Sequence, residues 1–299
     1  MYRFLRFLLG LAAKLPLWLL HAVGTALGWA VYGMSPTYRR RLRENLAQAG
    51  FHPPAEMRRI RHEAIASAGR MIAELPALWF RPHDEVAALV REVQGAEAAF
   101  SARDQGKTLL LLTPHMGSFE ITAQYAARHT PITVLYRAPK IGVLEPLMRE
   151  GRERPNVRLV PADLSGVREM FAALRRGEPL GFLPDQVPGK GEGEWVEFFG
   201  KSAYTMTLAA KLVDRPNVVC FLAYGRRLER GRGYAMVLRP LPAALPGETP
   251  ARRVNRAIED LVRECPGQYL WSYNRYKTPR GAKPRPKLGA GGENAPRTP

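Results

Sequence analysis

The stretch TLLLLTPHMGSFEITAQYAARH, residues 108–129, holds three local signals in a row. Residues 108–113 form a short apolar run, the pattern of a strand buried on both faces. Pro114 and Gly117 then break the run, and Gly117 can take backbone angles that other residues avoid. Residues 118–129 read as a helix. Strand, tight turn and helix form the repeating unit of an α/β sheet. In such sheets, sites gather where a strand gives way to a helix.

His115 lies in that turn, and Glu120 follows five positions later. Ser118 is a candidate N-cap, which puts Glu120 in the first helical turn, where the helix dipole favours an anion. On one continuous helix the two side chains would diverge; with the histidine in the turn they can meet. The glutamate would then fix the imidazole tautomer while the other ring nitrogen takes a proton from a hydroxyl. The spacing alone is weak, since about half of one chance His-x4-acid match is expected in this composition. Its position at the junction is what singles it out.

Outward from this unit the alternation continues. Strands are expected at 132–136, 157–161, 180–184, 217–226 and 234–241, with helices at 142–153, 166–177, 204–215 and 250–266. That pattern predicts an α/β core over 107–277 with a mixed, largely parallel sheet flanked by helices. Residues 35–100 read as a helical lead-in, opened by Ser35-Pro36 as cap and first turn. Together 35–277 make one catalytic-size domain. Residues 278–299, rich in proline and glycine, read as a disordered basic tail.

Residues 1–34 read as a membrane-anchoring segment. From Leu15 to Met34 the only side chain that titrates near neutrality is His21, and about 20 such residues are long enough to span a bilayer. Arginines and a lysine flank this stretch on both sides, so charge does not fix an orientation. No convincing cleavage site follows, and removal is not expected. Tyr2, Phe4, Phe7, Trp18, Trp29 and Tyr32 suit the headgroup zone. A buried helical hairpin is the plainer alternative.

Lys and Arg number 45 against 27 acidic residues, a formal +18. Such a field attracts polyanions: nucleic acid, an anionic membrane, or an acidic protein or lipid. The two cysteines, Cys220 and Cys265, lack metal or redox spacing, and a reducing compartment is inferred. No G-x-S-x-G, H-E-x-x-H, Walker loop or paired C-x-x-C is present. Serine hydrolysis, zinc peptidase chemistry and nucleotide-driven work therefore have little support, and no metal site is expected. Direct transfer onto a hydroxyl is the natural task of a His/Glu pair.

HMGSFE (115–120), YRAPK (136–140), GRERPN (151–156), LPDQVPGKGEGEWVEFFGKSAYT (183–205) and QYLWSYNRYK (268–277) occur in that order. Together they resemble the bacterial late acyltransferases of lipid A biosynthesis, the lauroyl and myristoyl transferases of the lysophospholipid-acyltransferase-like group. The resemblance covers about residues 1–277. It implies transfer of an acyl chain from acyl carrier protein, as donor substrate and with no cofactor, to a hydroxyl of a lipid A precursor. It implies His115 as general base, Glu120 as its orienting partner, and Arg152 and Asp185 in the catalytic set. Arg152 would face the developing oxyanion or pair with Asp185. Arg137 and Lys140, with Gln186 and Arg154 from the neighbouring motifs, form the expected substrate-binding set. The glycines around Lys190 read as a flexible loop beside the site.

Two departures stand out. SYNRYK replaces the family's usual His-Arg-Arg run, and Met116-Gly117-Ser118-Phe119 stands where Leu-Gly-Asn-Trp is frequent. Both leave acceptor identity and acyl length open. Acylation of another membrane acceptor, such as a glycerophospholipid, mannolipid or ornithine lipid, is the alternative within this chemistry. A membrane-tethered basic adaptor without catalysis is the alternative outside it, though no aromatic-basic RNA module is seen and nucleic acid is not expected. Because acyl carrier protein is acidic and cytosolic, the globular part is expected on the cytoplasmic face of the inner membrane.

Overall fold

The computed structural model describes residues 1–139, 141–189 and 191–286. Six helices come first: α1 (Tyr2–Ala13), α2 (Leu17–Met34), α3 (Pro36–Gln48), α4 (Pro54–Ala73), α5 (Leu75–Phe80) and α6 (His83–Ala87). The alternating region follows as β1 (Val90–Gln94), α7 (Ala96–Asp104), β2 (Thr108–Leu112), α8 (Glu120–Ala126), β3 (Ile132–Tyr136), α9 (Leu144–Arg152), β4 (Val157–Pro161), α10 (Leu164–Arg175) and β5 (Leu180–Phe182). A hairpin of β6 (Gly193–Phe198) and β7 (Lys201–Met206) precedes α11 (Thr207–Val213), β8 (Val218–Arg227), β9 (Tyr234–Pro240) and α12 (Pro250–Glu264).

Seven strands form one sheet in the order β1-β9-β8-β2-β5-β3-β4, parallel throughout except between β8 and β9. The leucine run explains the layering. Leu110 and Leu112 of β2 enter a core with α4, α10, α11 and α12, while Leu109 and Leu111 face a second core with α6, α7 and α8. Each leucine thus has an apolar layer to enter, which is why the run needs no polar alternation. The expected mixed, largely parallel α/β architecture is the observed one.

Two elements differ from expectation. β1 falls inside the anticipated helical lead-in; it is a short, mostly exposed edge strand paired in parallel with β9, and its own sequence carries no alternation that would reveal it. The β6–β7 hairpin replaces the expected loop and the start of the helix at 204. Its two turn residues, Phe199 and Gly200, have φ of 47° and 69°, as a tight two-residue hairpin turn requires. Phenylalanine is a poor turn signal, since a bulky residue resists positive φ. Here its ring is buried against Phe198 and Trp271, and Gln48 donates to its carbonyl at 2.7 Å. Residues 278–286 carry no helix or strand; Trp195 Nε1 donates to the Lys283 carbonyl at 2.8 Å. The rest of the expected tail lies outside the described residues, as do Lys140 and Lys190.

The apolar N-terminus is two helices, broken at Pro16. Among the described residues, α2 alone is long and apolar enough to cross a membrane by length and composition. It is also half-packed. Leu17, Leu20, His21, Gly24 and Gly28 are buried, whereas Trp18, Val23, Leu27 and Trp29 are exposed. Gly24 and Gly28 meet Gly69 of α4 so closely that a Cβ on Gly69 would fall on the Gly24 carbonyl oxygen. Small residues on both helices permit this approach. Gly69→Ala is accordingly expected to cost about 1–3 kcal/mol by overpacking. Chemical unfolding of the purified chain checks it, and an unchanged midpoint would mean that the two helices do not hold this contact.

Candidate active site

His115 follows β2 and Asp185 follows β5, and β2 and β5 are adjacent parallel strands. Neighbouring parallel strands end side by side, so two residues far apart in sequence meet at the sheet's carboxyl edge. His115 Nδ1 lies 2.8 Å from Asp185 Oδ1, and the His115 backbone N–H donates to Oδ2 at 2.9 Å. Asp185 is buried. Burial alone would raise its pKa, but the attraction and hydrogen bonds of His115, with the field of Arg275, hold it below the usual carboxylate range. An ionised Asp185 accepts a hydrogen bond from Nδ1–H, which leaves Nε2 as the acceptor nitrogen. Gln186 Nε2 sits 2.9 Å from it.

The expected His115–Glu120 contact is therefore replaced. Glu120 opens α8, with Phe119 rather than Ser118 at the N-cap position. Ser118 instead bonds its backbone N–H to the Gly225 carbonyl at 2.7 Å. The Glu120 carboxylate is taken by Arg152, through Nε at 2.9 Å and through Nη2, and by Trp79 Nε1 at 3.2 Å. Arg152 in turn pairs with Glu120 and not with Asp185. Burial lowers the pKa of its guanidinium, and Glu120 more than restores it. Asp185 lay seventy positions from His115, beyond any local spacing, so only the strand order could select it over Glu120.

A cavity of about 350 Å³ opens over His115, lined by Arg137, Arg152, Gln186, Phe119, Phe182 and Met148 among others. Arg152 Nη1 has no hydrogen bond among the described residues. His115, Asp185, Arg152, Gln186 and Arg137 thus converge. Arg154 does not: its Nη2 donates to the carbonyls of Leu78 and Trp79, which fixes the end of α5. Gly151 serves the same corner, since a Cβ there would strike the Trp79 ring. No group of three or more potential metal ligands occurs among the described residues.

The block at 268–277 braces both loops. Leu270 N–H donates to the His115 carbonyl at 3.0 Å, Gly117 N–H to the Gln268 carbonyl at 2.8 Å, and Val187 N–H to Tyr273 Oη at 2.9 Å. Tyr269 is buried beside Asp185; burial first, and that carboxylate second, push its phenol well above the ordinary range. Arg275 is buried and bonds Tyr204 O at 2.8 Å and Thr205 Oγ1 at 2.7 Å. Its field on Asp185 was not foreseen, because nothing local in SYNRYK points there.

Beneath the histidine loop lies a second buried ion pair. Arg227 donates to the Gly117 carbonyl at 2.8 Å, to Glu74 at 2.7 and 2.8 Å, and to Ser67 Oγ at 2.9 Å. Tyr234 Oη at 3.0 Å and His21 Nε2 at 3.1 Å complete the shell of Glu74. Gly117 has φ 54°, and a Cβ there would strike the Gly225 carbonyl oxygen. The turn therefore needs glycine, and its two backbone polar groups are both held. Burial would raise the pKa of Glu74, yet Arg227 and His21 bring it to about 2.

The model of the family described as bacterial lipid A biosynthesis acyltransferase matches residues 3–278. The chain is similar to the lipid A biosynthesis lauroyltransferase of Escherichia coli strain K12, with 27% identity over 77% of this chain and 76% of that protein. It is 25% identical to the palmitoleoyltransferase of the same strain over 90% and 89% of the two chains. The myristoyltransferase of that strain is 27% identical over 78% and 72%.

The pair under the loop gives a measurable pH signature. A carboxylate at about 2 against an ordinary 4.5 contributes about 3 kcal/mol. That stabilisation is full above pH 4.5 and is lost as pH falls toward 2. Glu74→Gln leaves Arg227 buried without its partner and is expected to cost about 3–5 kcal/mol at neutral pH. Urea unfolding at neutral and acid pH should show this deficit shrinking toward acid; a constant deficit would contradict an ionised Glu74.

Proposed function

The chain belongs to the bacterial lipid A biosynthesis acyltransferase family, and from that membership we propose that it moves a medium or long fatty acyl chain from acyl carrier protein to a hydroxyl of a lipid A precursor. It is an acyltransferase, so the non-catalytic adaptor reading falls away. His115 is the general base, and Asp185 rather than Glu120 is its orienting partner. The carrying observation is the 2.8 Å contact between Asp185 and Nδ1, with Nε2 turned to a cavity of about 350 Å³.

The acceptor hydroxyl displaces Gln186 from Nε2 and gives its proton there as its oxygen bonds the thioester carbonyl carbon. Negative charge gathers on the carbonyl oxygen, where Arg152 Nη1 is the available cation. Collapse breaks the carbon–sulfur bond, and the imidazolium returns its proton to the departing thiolate. Glu120 holds Arg152 in place, and Arg137 meets an acceptor phosphate. A narrow apolar cavity of about 50 Å³ adjoins the first through Phe119, Leu135, Phe182 and Leu183. Ile132, Val134, Val157 and Leu159 line it further in, and we assign it to the acyl tail.

The half-packed α2 supports an anchor lying in one leaflet rather than crossing, with the globular part on the cytoplasmic face of the inner membrane. An acidic carrier protein suits the +18 chain.

With lauroyl- or myristoyl-loaded acyl carrier protein and a lipid A precursor, His115→Ala and Asp185→Asn should each lower transfer about 10²–10⁴-fold with folding retained. Full loss in Glu120→Gln beside a near-normal Asp185→Asn would reverse the assignment of partner. Transfer only to a glycerophospholipid, mannolipid or ornithine lipid would move the acceptor class. At the inner cavity, a Cβ on Gly181 would lie 3.3 Å from Ile132 Cδ1. Gly181→Val should therefore shift the product toward shorter chains, read by mass spectrometry; unchanged chain selection would place the tail elsewhere.

A further inference from the structure

A cavity of about 1000 Å³ lies between α2, α4, the turn after β8 and residues 264–268, and it shares no lining residue with the His115 cavity. We infer that it binds the phosphate headgroup of an anionic glycerophospholipid of the bilayer, at a site separate from the acyl-transfer centre.

The charge inside is positive where it is free. Five arginines line it against three glutamates. Arg227 is spent on Glu74, and Arg70 answers Glu63 at 3.0 Å. Glu264 is answered by Arg239 from outside the cavity at 2.9 Å. Arg226 is also answered from outside the cavity, which leaves Arg59 and Arg230 facing Glu229. Arg59 has its nearest carboxylate, Glu56, at 3.9 Å. Arg230 has no ion pair or hydrogen bond among the described residues, and Arg226 reaches Glu92 at 3.4 Å while its buried Nε has no partner. Guanidinium forks of this kind match phosphate oxygens.

The backbone keeps one of these cations in place at a cost. Arg230 has φ 56°, a left-handed conformation that arginine avoids. The next residue, Gly231, is pressed on the backbone of Trp18, so the turn is seated on α2. Trp18 and Trp29 line the same cavity and are 58% and 39% exposed. Both belong to α2, on which Val23 and Leu27 are exposed as well. Arginines beside half-exposed tryptophans on an apolar helix mark the headgroup depth of a bilayer. The acyl acceptor is a poorer occupant, because the Gly117 turn and Arg227 stand between this cavity and His115 Nε2.

Flotation of the full chain with phosphatidylcholine vesicles, with and without phosphatidylglycerol, tests the assignment. Phosphatidylglycerol should strengthen binding, and Arg59→Gln/Arg230→Gln should remove most of that gain, about fivefold for each arginine. Arg40→Gln/Arg41→Gln, which removes equal charge from α3, should keep it. Equal losses in both double variants would mean diffuse attraction rather than a site, and no loss in the first would remove the site altogether. Inorganic phosphate added to the vesicles should compete weakly. Full competition by phosphate, with no dependence on phosphatidylglycerol, would assign the cavity to a soluble phosphate compound and overturn the lipid reading.

Discussion

Asp185 has to remain an anion where water does not reach it, and the arrangement around His115 depends on that. A buried carboxylate would ordinarily take up a proton. Here it is the target of two hydrogen bonds from one residue, ring and backbone, and lies in the field of Arg275. The same two bonds fix the histidine's main chain and its tautomer together. Side chain and loop therefore cannot reorient independently, and the other ring nitrogen is held at one point, beside Gln186.

Two further ion pairs divide the surrounding work. Glu120 and Arg152 join the start of α8 to the end of α9 beside the cavity, with Trp79 closing the carboxylate. Glu74 and Arg227 hold the turn from below and bring His21 of α2 into the same shell. Buried pairs are poor sources of net stability but are costly to half-remove. Their placement on both sides of one short turn suits positioning better than it suits simple strength.

Much of this was readable from residue order, in proportion to how local each signal was. β3 and β4 fall on the expected 132–136 and 157–161, because their own apolar, β-branched residues identify them locally. β1 owes its existence to β9, more than a hundred residues later, and the β6–β7 turn puts phenylalanine where a turn residue would announce itself. At the site, motif order named His115, Asp185, Arg152 and Gln186, which the fold brings near one another. It could not choose the histidine's partner, since Glu120 was near in sequence and Asp185 was near only once β2 and β5 paired. Glu74, Arg227 and Arg275 were invisible for a plainer reason. They are single charges among forty-five basic and twenty-seven acidic side chains, and only burial distinguishes them.

The glycine seam between α2 and α4 changes how the N-terminus should be regarded. A membrane tether joined by a linker can be cut away to leave a soluble enzyme. Here α2 supplies Leu17 and Leu20 to the interior and His21 to the shell of Glu74. Deleting it would open the protein rather than trim it. Any redesign of this segment would have to keep the helix whole and its seam untouched, and change only exposed positions such as Val23 and Leu27.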